Sequence, residues 1–208
     1  MKMTLQDYVY FLLPLVLWPL TFIVFSKNFV YAMSVSTAIL AAFSLIRYRD
    51  KILFRSKSIA KIVGFGAAGA VALYLLFVAG YYIALFTGNV AYVTDVYTLI
   101  YSQAQTIVLV LLLAIIGICE EMYWRGGLQG FVRKNSKVFK GMPWVASSLY
   151  YAAVHISTFN PILVIAAFFV GLMTSILAER YGIAASSIAH IAWIEAIIIF
   201  LPVIAIVK

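Results

Sequence analysis

The chain has 208 residues, of which 65% are hydrophobic and 11% charged, and carries a formal net charge of +8. Its mean hydropathy of +1.06 excludes an ordinary soluble domain, in which apolar residues make up about half of the sequence. This length holds about seven spans of ~20 apolar residues with short loops, so a single membrane domain over residues 1–208 is expected, a multi-pass protein with the lipid bilayer as its surroundings.

Spans are predicted at about 8–25, 29–46, 62–86, 105–125 or further, 142–158, 161–178 and 184–206. The predicted fold is therefore all-α, a polytopic transmembrane bundle of about seven helices. The run from Tyr8 to Phe25 is long for a signal-peptide core despite the weak cleavage-like Val30-Tyr31-Ala32, and reads as an uncleaved anchor. The basic residues gather in RYRDKILFRSKSIAK (47–61) and RKNSKVFK (133–140), between apolar segments. With the N-terminus in the cytoplasm, thirteen of the fifteen Lys and Arg residues fall inside, and only Lys27 and Lys208 outside. That bias reads as topology rather than as a nucleic-acid footprint, so no nucleic-acid partner is expected.

Residues 87–104, TGNVAYVTDVYTLIYSQA, are predicted to be the one sizeable external loop, lying at the interface as aromatic belts do. The fourth helix is predicted to run on to about residue 134, since the apolar pattern continues through Leu128, Phe131 and Val132. Glu120 then stands roughly 20 Å above the basic loop at about 1.5 Å per residue. His155, on the returning fifth helix, arrives at a similar height and can face it. Gly126 and Gly127, as paired small residues, mark a candidate kink. Pro143 suits a first helical turn, and Asn160-Pro161 marks a tight turn before the sixth span.

Glu120 and Glu121 lie side by side in LVLLLAIIGICEEMYWRGGLQGF. Carboxylates at bilayer depth are costly enough to mark a functional site by default. Helical spacing gives the two different tasks: Glu121 and Arg125 form an i,i+4 pair, whereas Glu120 is turned by about 100° onto another face and left available as a general base. The only two histidines, His155 and His190, fall in predicted helices that can converge on Glu120. Cys119 is the sole cysteine, which precludes an intramolecular disulfide, and reads as a small packed side chain.

Glu120-Glu121-Met122-Tyr123-Trp124-Arg125 resembles the EExxxR signature of the CAAX protease and bacteriocin-processing (CPBP, or Abi) family of intramembrane proteases. Tyr151-Ala-Ala-Val-His155 is similar to that family's FxxxH motif with Tyr for Phe. Phe168-Phe-Val-Gly171 with Leu177-Ala-Glu-Arg-Tyr-Gly182 is similar to its glycine-bearing helix, and Ser186-Ser-Ile-Ala-His190-Ile-Ala-Trp193 to the approach to its last motif, HxxxN or HxxxD. The resemblance covers residues 105–195, while 1–104 carry only hydropathy.

The resemblance implies an endopeptidase, similar to the type II CAAX prenyl endopeptidases. Glu120 and His155 would activate water, His190 would help hold the oxyanion, and Glu121 with Arg125 would support the helix carrying the base. It implies a peptide substrate, prenylated or otherwise lipidated in some members, and for so compact a chain a setting in a bacterial plasma membrane. A mechanism without metal is preferred, although Glu120, His155 and His190 could alternatively hold zinc.

Ile194 occupies the position of the family's Asn or Asp and has no hydrogen-bonding capacity. Loss of one oxyanion donor costs roughly 10²- to 10³-fold in rate. Glu195, about 140° around the helix from His190, is a poor substitute and is read as a partner for another buried polar group. The rival reading is a non-catalytic peptide-binding or bacteriocin self-immunity protein of the same fold, with Ile194 as its best support. A proton-coupled transporter would need paired discontinuous helices in two halves, and the first hundred residues show no intramembrane charge to match the second.

Overall fold

The computed structural model describes residues 4–49, 58–101 and 103–205. These form helices and no strands, and six helical segments are long and apolar enough to cross a membrane. The molecule is a multi-pass membrane protein.

Helix α1 (Leu5–Pro19) starts at a capping box in which the Thr4 side chain and Asp7 satisfy each other's backbone N–H groups. It passes into a π-helical turn at Leu20–Val24. Then come α2 (Phe29–Tyr48), α3 (Ile59–Phe86) and α4 (Val90–Tyr101). Helix α5 (Thr106–Glu121) continues through a π-helical segment, Met122–Leu128, into α6 (Gln129–Asn135), so the fourth predicted span does extend to the basic loop. Helices α7 (Pro143–Val154), α8 (Pro161–Tyr181) and α9 (Ile183–Glu195) complete the bundle, and α9 runs into a further π segment at Ala196–Phe200. Residues 50–57 of the first basic tract lie outside the described residues.

Two expectations change. The loop predicted over residues 87–104 is mostly the helix α4. Its Val90, Val93, Tyr97 and Ile100, spaced three and four apart, pack on the core. The hydroxyls of Tyr97 and Tyr101 donate to the carbonyls of Ile197 and Ile198, which the π segment following α9 leaves in need of donors. The predicted span 142–158 is only α7 and a 3-10 turn, His155–Thr158, too short for a ~30 Å hydrocarbon core. Its end is fixed by side chains that take the last carbonyls, Ser157 Oγ donating to Val154 and Thr158 Oγ1 to His155. Asn160 then caps α8 through the Leu163 N–H, and Pro161 occupies the first turn.

The π segment at Met122–Leu128 is where α5 meets α1, α2 and α7. The Tyr10 hydroxyl reaches the Tyr123 carbonyl at 3.3 Å and Ser44 Oγ at 2.8 Å, and Ser147 Oγ donates to the Trp124 carbonyl at 3.0 Å. Gly127 lies under Tyr10: a Cβ there would stand 2.0 Å from the hydroxyl and 2.9 Å from Ser44 Oγ. The pair of glycines thus does mark an irregularity, and at least one of them is required by close packing.

Gly127→Ala is expected to lower the melting temperature in detergent, by the equivalent of about 1–3 kcal/mol of overpacking. Adding Tyr10→Phe should recover part of that loss, because it removes the nearest atom. A double variant no more stable than Gly127→Ala alone would show that the clash lies elsewhere.

Candidate functional site

The end of α5, the middle of α9 and the end of α7 bring the polar residues together in the bundle interior. Gly117 allows α5 and α9 to approach, since a Cβ there would sit 3.0 Å from Ile191 Cγ1. One turn along α5, Glu120 and Glu121 meet His190, and all three are buried, with at most 2% of their surface exposed.

Glu121 is the carboxylate with a cationic partner. Its Oε1 lies 3.4 Å from Arg125 Nη1 and accepts from His190 Nδ1 at 2.9 Å. The carboxylate can only accept, so His190 carries a proton on Nδ1 and turns Nε2 toward Glu120 Oε2, 3.7 Å away. The predicted i,i+4 pair therefore forms, and it also orients a histidine. Arg125 is fully buried, with its guanidinium 4.8 Å from the centre of the Tyr151 ring.

Glu120 is held differently. Oε2 accepts from the Tyr151 hydroxyl at 2.7 Å, while Oε1 has no hydrogen-bond partner. A buried polar atom in that condition marks a place for water or a ligand group.

His155 comes close to this pair without touching it. Its Nδ1 donates to the Tyr151 carbonyl at 2.7 Å, which fixes the tautomer, and Nε2 accepts from the Trp18 indole N–H at 3.3 Å. Its ring packs edge-on against Tyr151 with centroids 4.7 Å apart, and no hydrogen bond or ion pair joins it to either carboxylate. The structure thus brings Glu120, Glu121, Arg125 and His190 into direct contact and sets His155 on the far side of a tyrosine.

Glu120, His155 and His190 do not fit a zinc site as they stand. No three His, Cys, Asp or Glu side chains among the described residues are grouped to hold a metal, and both His155 nitrogens are engaged.

Sequence reasoning did not find Trp18, which comes from the motif-free half and occupies the lone pair of His155. Tyr151 was visible only as a substitution for phenylalanine, with no sign of where its hydroxyl would go. Ile194 packs against the hydrophobic core, and Glu195, half-buried, has no polar partner among the described residues.

Residues 102–194 match the family model described as type II CAAX prenyl endopeptidase Rce1-like. Over this segment, somewhat less than half of the 208-residue chain, the protein is similar to that family. The matched segment contains all five candidate polar residues and Tyr151, and ends at Ile194. Comparison with curated proteins and with solved structures gave no match.

Glu121→Gln should destabilise the protein strongly, by about 3–5 kcal/mol, because it strands a buried guanidinium. The double variant Glu121→Gln with Arg125→Met is expected to melt above the single one. Equal melting temperatures for wild type and Glu121→Gln would contradict the assignment of Glu121 as the structural partner.

Proposed function

We propose that the chain is an intramembrane endopeptidase in which Glu120 is the general base that activates water. The observation that carries this reading is the difference in partners: each carboxylate keeps one oxygen without a hydrogen bond, but Glu121 is tied through Oε1 to the Arg125 guanidinium and the His190 N–H, whereas Glu120 is held by a neutral phenol with an imidazole 3.7 Å away. Glu120 Oε1 takes a proton from water as the water oxygen bonds to the scissile carbonyl carbon, and the carbonyl π pair moves to oxygen. The same proton then passes to the amide nitrogen as the C–N bond breaks.

His190, oriented by Glu121, places Nε2 where it can donate to the developing oxyanion when its ring is doubly protonated. His155 shares the water with Glu120 once Trp18 releases its Nε2 lone pair. The substrate is a membrane-associated peptide, prenylated or otherwise lipidated. An apolar cleft of about 500 Å³, lined by residues including Phe11, Leu128, Phe131, Phe139 and Leu149, suits an attached lipid chain. With the N-terminus in the cytoplasm, as the basic residues predict, that cleft opens near the cytoplasmic face of a bacterial plasma membrane.

The second reading, a weakly active or inactive peptide-binding or self-immunity protein, is favoured by one observation. Ile194 packs into the core at the family's polar position and supplies no donor.

A cleavage assay on purified protein with lipidated and unlipidated hydrophobic peptides separates the two. The protease reading predicts turnover that disappears in Glu120→Gln while folding is retained, and that survives a zinc chelator. Ile194→Asn should raise kcat by about tenfold or more if it restores an oxyanion donor. Tight peptide binding by both wild type and Glu120→Gln, with turnover by neither, would establish the binding protein instead.

A further inference from the structure

Tyr151 stands where the motif it resembles has phenylalanine, so its ring answers a packing need and its hydroxyl is additional. The ring is confined on three sides: by Trp124, with centroids 5.0 Å apart, by His155 at 4.7 Å, and by the Arg125 guanidinium 4.8 Å from its centre. A ring so held has little freedom to move its hydroxyl, and that hydroxyl meets Glu120 Oε2 at 2.7 Å. His190 Nε2 lies 3.7 Å from the same oxygen. Two groups thus converge on Oε2, and Oε1 is left without a partner.

Nothing in the glutamate itself would distinguish its two oxygens, because the terminal carboxylate torsion is broad and roughly two-fold. We propose that Tyr151 is a positioning residue for the general base: its hydroxyl fixes Oε2 and thereby presents Oε1 as the oxygen that takes the proton from water. The role rests on the protease reading of Glu120 and adds a task for a side chain to which the motif assigns only a ring. It concerns orientation alone, since the phenol neither gains nor loses a proton in the step.

Tyr151→Phe tests this directly, because it keeps the ring and deletes only the hydroxyl. The expected result is a fall in kcat of about ten- to a hundredfold, as for a misplaced reacting group, with KM changed less than about twofold and the melting temperature retained. A purely structural tyrosine would instead lower stability and leave kcat per folded molecule unchanged, and that result would overturn the proposal.

Infrared difference spectra provide a second readout independent of turnover. The carboxyl band that disappears in Glu120→Gln should shift in Tyr151→Phe, and an unshifted band would also overturn the proposal. The two readings fail distinguishably. Absence of Glu120-dependent turnover in wild type removes the protease and the Tyr151 role together. Glu120-dependent turnover that Tyr151→Phe leaves intact removes the Tyr151 role alone.

Discussion

A charged carboxylate in the interior of a membrane protein has no water to solvate it, so its partners must come from the chain, and Glu121 finds them in Arg125 and His190. Removing either partner from such a buried group is costly, and the geometry around it is correspondingly constrained. The hydrogen bond from His190 to Glu121 ties the end of α5 to α9. It also decides which nitrogen of His190 carries the donated proton and which one is turned toward Glu120. The distinctive environment of Glu120 is a consequence: its neighbour has taken the strong partners, leaving it a phenol and a more distant imidazole.

The backbone adapts to the same requirement. From Met122 to Leu128 the helix is π-wound, and π turns within longer helices are frequent at functional sites. The carbonyls this disturbs are met by hydroxyls from two other helices, Tyr10 from α1 and Ser147 from α7. Gly127 permits the approach of Tyr10. The motif-free first half of the chain is therefore coupled to the candidate site through packing. Tyr10 braces the helix after the carboxylates, and Trp18 holds His155 in one tautomer.

Much of this was legible in the sequence because it depends on local spacing or on composition. Long apolar runs gave the spans, and the continuing pattern past Arg125 gave the length of the fourth. The i,i+4 interval gave the Glu121–Arg125 pair and the separate status of Glu120. What was hidden depends on contacts between helices. Helix α4, 12 residues long, is hidden in the sequence because its tyrosines resemble an interfacial belt until their hydroxyls are seen bonded to the end of another helix. The expected convergence of both histidines on Glu120 holds directly for His190. For His155 it passes through Tyr151, since the edge-on ring and the Trp18 contact are set by tertiary packing that helical periodicity does not encode.

The central claim is that Glu120 removes a proton from water and does not itself attack the peptide. Single-turnover cleavage in ¹⁸O-labelled water tests this, because a glutamyl anhydride hydrolysed at its glutamyl carbon leaves the product unlabelled. The account predicts one labelled oxygen in the new carboxyl group of the first-turnover product, from an enzyme whose Glu120→Gln variant gives none. Unlabelled first-turnover product would mean that the carboxylate oxygen had attacked the carbonyl, and would contradict it.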